Sequence, residues 1–125
     1  MFQLLGESRE SAAANAKTVM RIETALAKAS LTRVEKRDPY KLFHKMNRAD
    51  LQGLTPSFRW NQYLAALQAT AIAQFNVTEP AFYREFEVQL KANSLDDLKA
   101  YLRWHLVNAK ARLSMSLQKR SEPRF

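Results

Sequence analysis

The stretch Ser8-Arg9-Glu10-Ser11-Ala12-Ala13-Ala14-Asn15-Ala16-Lys17-Thr18-Val19-Met20-Arg21-Ile22-Glu23-Thr24-Ala25-Leu26-Ala27-Lys28-Ala29-Ser30 decides the fold class. Ala12, Ala16, Val19, Ile22, Leu26 and Ala29 recur every three or four residues, which sets them on one face of an α-helix. Neither glycine nor proline interrupts the run, and Ser8 stands where a helix N-cap is needed. Such a helix is roughly 33 Å long at 1.5 Å per residue. Many positions on its apolar face are alanine, so a neighbouring backbone can approach closely.

Upstream, residues 1–6 read as the end of a helix stopped by Gly6, because glycine tolerates the left-handed conformation of a helix terminus. Downstream, residues 31–56 are more irregular and more charged. Asp38-Pro39 reads as the N-cap and first residue of a short helix, with Tyr40, Phe43 and Met46 as its contacts. Asn47 with Asp50 three residues on starts another, which Gly53 and Pro56 end. A third helical stretch begins near Thr55-Pro56-Ser57, with Trp60, Tyr63, Leu64, Leu67 and Ala71 on one face. Residues 72–77 form a connector with strand character at Phe75 and Val77. Thr78 is placed to cap a helix with Pro80 in its first turn and Phe82, Phe86 and Leu90 stacked along it.

Asn93 breaks that pattern, and Ser94-Leu95-Asp96-Asp97 restarts it as a capping-box-like signal. The last long helix presents Leu95, Leu98, Leu102, His105 or Leu106, Ala109 and Leu113. The expected class is all-α, an irregular helical bundle with two long helices and several short ones. Residues 1–114 form the helical domain, and residues 115–125 a divergent, frayed tail.

Composition agrees. Only two glycines and four prolines in 125 residues leave little room for tight hairpins. No cysteine is present, which excludes disulfides, thiol catalysis and cysteine-ligated zinc. No secretory signal opens the chain, and no apolar run nears the roughly 20 residues that span a bilayer. The expectation is a soluble, cytoplasmic protein without membrane contact. The net charge of +8, from 20 basic and 12 acidic residues, raises the question of an acidic partner.

The chemistry that would make an enzyme is hard to assemble. His44 and His105 are the only histidines, and neither has an acidic residue at metal-ligand spacing. Both read as packed or half-buried side chains. Ser8, Ser57 and Ser94 fall where helix capping explains them, and no glycine-flanked nucleophile turn exists. Asp96/Asp97 suits a helix N-terminus, and Glu85/Glu87 would flank Phe86 on solvent-facing positions. Asn76-Val77-Thr78 matches a glycosylation acceptor, although a capping Thr78 is sufficient reason for it. Arg33, Lys36, Arg37, Lys41, Lys45 and Arg48 form the best candidate basic patch. Glu35, Asp38 and Asp50 interrupt it and leave +3 over residues 33–50. A second basic excess lies at Arg103, Lys110, Arg112, Lys119, Arg120 and Arg124. No recognition motif accompanies either, so nucleic-acid binding is not expected. No catalytic residue, metal ligand or cofactor is assigned.

Several of these features occur together in order: Leu4-Leu5-Gly6-Glu7, Ile22-Glu23-Thr24-Ala25-Leu26-Ala27, Arg33 through Lys41, His44-Lys45-Met46, Leu51 and Thr55-Pro56. Phe58-x-Trp60-x-x-Tyr63 and Leu98-x-x-Tyr101-Leu102-Arg103-Trp104-His105 complete the series. Over about residues 2–113 the chain resembles the helical N-terminal domain of the neprilysin / endothelin-converting-enzyme family of zinc metallopeptidases, in a bacterial version. In that family the zinc site lies far downstream, in a thermolysin-like domain, and the helical lobe restricts entry to peptides. The resemblance implies a non-catalytic scaffold with no peptidase activity alone, and Asp38, Pro39, Tyr40, Trp60, Tyr63, Tyr101 and Trp104 as structural residues. It also implies a parent family often exported or membrane-anchored. Residues 115–125 depart from the family pattern and read as a truncation or shifted frame. Apolar faces left without neighbours predict self-association. The alternative reading is a small basic module that binds a protein or nucleic acid.

Overall fold

The computed structural model describes residues 2–121, and their side chains except those of Leu4 and residues 112–121. Helix α1 spans Arg9–Ala29, α2 Arg48–Leu54, α3 Trp60–Ala66, α4 Pro80–Ala92 and α5 Leu95–Ser121. Two short strands, β1 (Lys45–Asn47) and β2 (Gln74–Asn76), pair antiparallel with Met46 opposite Phe75. The class is predominantly all-α, as the periodicity predicts. The chain divides into two compact units, residues 1–22 with 94–125, and residues 23–93.

In the first unit, residues 2–5 form a 3-10 turn that ends at Gly6 with φ +84°. Ser8 caps α1 as expected, its Oγ accepting the Ser11 N–H at 3.2 Å. Phe2, Val19, Ile22 and Ala100 are buried, Ile22 with only 2% of its surface exposed. The predicted stripe is narrower than its periodicity suggests, because Ala16 is exposed. At the start of α5, Ser94 Oγ accepts the Asp97 N–H at 3.1 Å and Asp97 accepts the Ser94 N–H at 3.4 Å, the reciprocal box that the sequence signals.

Helix α5 corrects a second expectation. Its leucine stripe is not the packed side: Leu95, Leu102 and Leu106 are 67%, 66% and 70% exposed, and Ala100 is buried instead. Tyr101, Trp104 and Val107 lie half-buried near it. Both sides of this helix are apolar, so counting apolar residues could not say which side packs inward. The helix continues to Ser121. The frayed tail predicted for residues 115–125 falls on side chains, and in its last four residues on backbone, outside what the structure describes.

In the second unit, α2 packs against α3, α4 and β1, and Leu26, Leu51, Thr55, Leu64 and Val77 are buried. Asn47 and Asp50 open α2 as expected, and the structure joins them in a reciprocal capping box, but Gly53 lies inside that helix and Thr55 follows its end. The short helix predicted from Asp38-Pro39 is absent. Residues 35–37 make a 3-10 turn before it, and Asp38 Oδ1 accepts the Tyr40 N–H at 3.0 Å, an Asx turn that competes with helix initiation. Tyr40 is therefore 90% exposed and Phe43 65%, and neither supplies the contacts expected of it. Only Met46 of the three is half-buried, on a strand rather than a helix. Helix α3 is shorter than predicted and ends before Gln68, whose φ of +55° is the left-handed conformation that closes it. That turn leaves Leu67 exposed and carries Ala71 off the helix. At α4, Glu79 rather than Thr78 occupies the N-cap position, with Pro80 following as predicted.

Candidate functional site

Carboxylates organise the second unit. The segment after α1 has no regular hydrogen-bond ladder, so its backbone donors need side-chain acceptors. Glu79 Oε2 accepts the Leu31 N–H at 2.7 Å, and Glu79 Oε1 meets Lys36 Nζ at 2.9 Å. Burial pushes the Glu79 carboxyl up, but the Lys36 ammonium and the Leu31 N–H outweigh it and hold the group below its ordinary value. Glu35 accepts the Thr32 N–H at 3.0 Å and the Thr32 hydroxyl at 2.8 Å, and lies 3.4 Å from Lys41. Those bonds, the backbone one foremost, lower its pKa as well.

Between these groups lies a cleft of about 490 Å³, lined by Glu35, Lys41, His44, Met46, Glu79 and Arg84 among others. His44 Nδ1 is buried there with no hydrogen-bond partner among the described residues. The half-buried state of His44 matches the sequence reading; His105 does not, being exposed with edge contacts to Tyr101 and Trp104 at 4.5 and 4.9 Å.

A second carboxylate was misplaced by the sequence reading. Glu87, expected to face solvent, is buried, and its two oxygens accept the Ser57 N–H at 3.1 Å and the Ser57 hydroxyl at 2.7 Å. Ser57 is thus a donor to Glu87 rather than a helix cap. Lys91 Nζ completes the arrangement at 2.8 Å and, against the opposing effect of burial, lowers the Glu87 pKa together with Ser57. Beside it, Phe58, Trp60, Tyr63, Tyr83 and Phe86 meet at ring centroid distances of 4.6 to 5.8 Å. Trp60 Nε1 donates to Thr55 Oγ1 at 2.6 Å, which anchors the ring to the buried threonine.

A general acid or base works best with a pKa near the operating pH, whereas Glu35, Glu79 and Glu87 are all held lower than an ordinary glutamate and face cations. They act as clamps on backbone and side chains. No pattern announced Glu79 or Glu87 as such, because their partners lie 48 and 30 residues away.

The basic patch is broken up by the same logic. Lys36 and Lys41 are paired to Glu79 and Glu35. Arg48 donates to the Ile72 carbonyl at 3.0 Å and to the Thr70 carbonyl. Arg33, Arg37 and Lys45 remain exposed. Of the residues expected to be structural, Asp38 forms the turn already described and Pro39 accepts the Leu42 N–H at 3.3 Å. Asn76, the glycosylation-like asparagine, uses its side-chain oxygen to accept the His44 N–H at 2.9 Å.

In the first unit, Glu7 accepts from Arg103 and Asn15, each at 2.8 Å. Asp97 accepts from Thr18 at 3.2 Å and Arg21 at 3.5 Å. A cleft of about 400 Å³ lies against Ala12, Ala13, Ala16 and Trp104.

Comparison with known proteins matches this helical arrangement. The profile described as Peptidase family M13, for the N-terminal part of such proteins, matches residues 1–124. Endothelin-converting enzyme 1 of Rattus norvegicus is 30% identical over 108 residues, covering 82% of this chain and 14% of the relative. The Cavia porcellus protein of that name is 30% identical over 112 residues, covering 84% and 15%. Among solved structures, the zinc metalloprotease ZMP1 of Mycobacterium tuberculosis, in its open state, superposes with a TM-score of 0.77 at 26% identity. That match covers 84% of this chain and 17% of the other. The chain thus spans about a seventh of the length of the curated relatives it matches. Zinc, which the family implies, does not fit the residues described: no three histidine or acidic side chains among them gather closely enough to hold a metal ion. On the match over residues 1–124 and these relatives, the chain belongs to peptidase family M13, as a segment of its helical N-terminal domain.

Proposed function

We propose that the chain is the non-catalytic helical portion of a neprilysin-like zinc metallopeptidase, a scaffold that limits access to a catalytic domain and has no peptidase activity alone. The observation that carries this reading is the character of its acids: each one tied most firmly into the fold is held ionised against a cation and a backbone or hydroxyl donor. Such groups fix the positions of turns and helix ends. The residues Asp38, Pro39, Trp60, Tyr63, Tyr101 and Trp104 belong to that scaffold in this reading, whereas Tyr40, 90% exposed, adds no packing to it. No helix among the described residues is long and apolar enough to cross a membrane.

The test is a peptidase assay of the purified chain with zinc and a quenched fluorescent peptide. No turnover above buffer is expected; turnover that a chelator removes and zinc restores would overturn the reading. The access role is tested by substituting this chain for the matched segment of a longer relative. Short peptides should still be cleaved and folded proteins refused. A chimera that cleaves folded proteins as readily as short peptides would remove the access-limiting part of the proposal.

A further inference from the structure

The cleft of about 490 Å³ lined by Glu35 and Glu79 has the size of a small-molecule site. Its two acids are already occupied: Glu35 holds Thr32 and Lys41, and Glu79 holds Leu31 and Lys36. What the wall still presents is donors. Arg84, exposed on α4, has no ion pair or hydrogen bond among the described residues, so its whole fork of N–H groups is open to a ligand. His44 adds a ring nitrogen. Its Nδ1 is enclosed without a partner and Nε2 is not, so the neutral ring keeps its proton on Nε2, where an acceptor can reach it. The first turn of α4 lies in the same wall through Pro80 and Ala81, and brings the positive end of a thirteen-residue helix. Leu31, Met46 and Pro80 make much of the remaining lining apolar.

We propose that this cleft binds a small monocarboxylate with an apolar body, its carboxylate held by Arg84 and His44 and its body laid against Leu31, Met46 and Pro80. Charge sets the valence. Lys36, Lys41 and Arg84 against Glu35 and Glu79 leave one positive charge around the cleft. A single carboxylate neutralises it. A dianion such as a phosphate monoester would meet two fixed glutamates with no cation left to offset its second charge. Shape agrees, since a guanidinium fork matches the two oxygens of a planar carboxylate. The apolar body adds burial that an inorganic anion lacks. A peptide C-terminus and a free aliphatic acid share this chemistry.

Titration of the full chain with sodium hexanoate, followed by the histidine ring signals in nitrogen-correlated NMR, tests this. With only two histidines in the chain, His44 is read against His105 in one spectrum. The His44 signals should shift saturably, and those of His105 should not. Hexanol, of equal length without the charge, should bind about tenfold more weakly or worse. Hexyl phosphate should bind no better than hexanoate. N-acetylleucine in place of hexanoate separates the sources: the tighter of the two identifies a peptide C-terminus or a free acid, and either is the proposed chemistry. Arg84→Gln should weaken hexanoate about tenfold, the usual size of one charge-assisted bond, and its exposed, unpaired position leaves the fold unaffected. Arg33→Gln removes the same charge at an exposed position outside the cleft and should change nothing. No saturable His44 shift, hexanol binding as tightly as hexanoate, hexyl phosphate binding more tightly, or equal weakening by both arginine substitutions overturns the proposal.

Discussion

The two units of this chain differ in how their backbone hydrogen bonds are satisfied. In residues 1–22 with 94–125, long helices supply their own backbone hydrogen bonds, and a few apolar side chains, Val19, Ile22 and Ala100, close the core. In residues 23–93 no helix exceeds thirteen residues, apart from the end of α1. Short elements leave more backbone donors and acceptors unpaired at their ends. Side chains satisfy them here: Glu79 for Leu31, Glu87 for Ser57, Arg48 for Ile72, and Gln52 for the carbonyls of Thr55, Pro56 and Phe58. Both units have an apolar core and long-range polar ties, but only the second must also use side chains to satisfy the ends of so many short elements.

The sharpest way to break this comparison is to remove packing from the first unit. Ile22→Ala should destabilise the protein by about 2–5 kcal/mol, the usual range for emptying a tight aliphatic site, as measured by urea denaturation. An effect below about 1 kcal/mol would mean that this core is not what holds the helices. Next comes a polar tie in the second unit. Thr55→Val keeps the shape but strips the acceptor from Trp60 Nε1, and should cost about 1–3 kcal/mol with a change in near-UV circular dichroism.

The carboxylate clamps predict a pH dependence of definite sign. Glu35, Glu79 and Glu87 bind protons less readily in the folded chain than at the ordinary value of 4.5. Their contribution is complete above that value and is lost as the pH falls through the lowered folded values. Denaturation midpoints should therefore drop on acidification below about pH 4.5, and Glu87→Gln should flatten part of that drop. An unchanged slope in the variant would show that Glu87 is not a clamp. The smallest expected effect is a gain. Gly53 lies inside α2 with nothing within 4 Å of an added Cβ, so Gly53→Ala should stabilise by about 0.4–1 kcal/mol.

The same contrast explains what could be read from the sequence. Helix α1, the restart at Ser94 and the start of α2 at Asn47 were legible because their signals are local, within four residues along the chain. Proline at the start of α4 and glycine at the end of the first turn were legible for the same reason. Asp38-Pro39 misled because an Asx turn and a helix cap use the same side-chain oxygen, and the choice between them depends on the backbone path beyond Pro39. The two faces of α5 were both apolar, so the stripe was found but its direction was not. Glu79 and Glu87 were illegible as anchors, since a lone glutamate carries no mark of a partner dozens of residues away.

Asn47 bears on how the second unit comes together in time. It is the last residue of β1, paired with Gln74, and also the N-cap of α2, whose side chain accepts the Asp50 N–H. Helix formation is slow to start because several dihedral angles must be fixed before the first bond forms. Here strand pairing fixes the residue that begins the helix. The pairing of β1 with β2 and the first turn of α2 should consequently form and open as one cooperative unit, with their amide protons exchanging at a common rate.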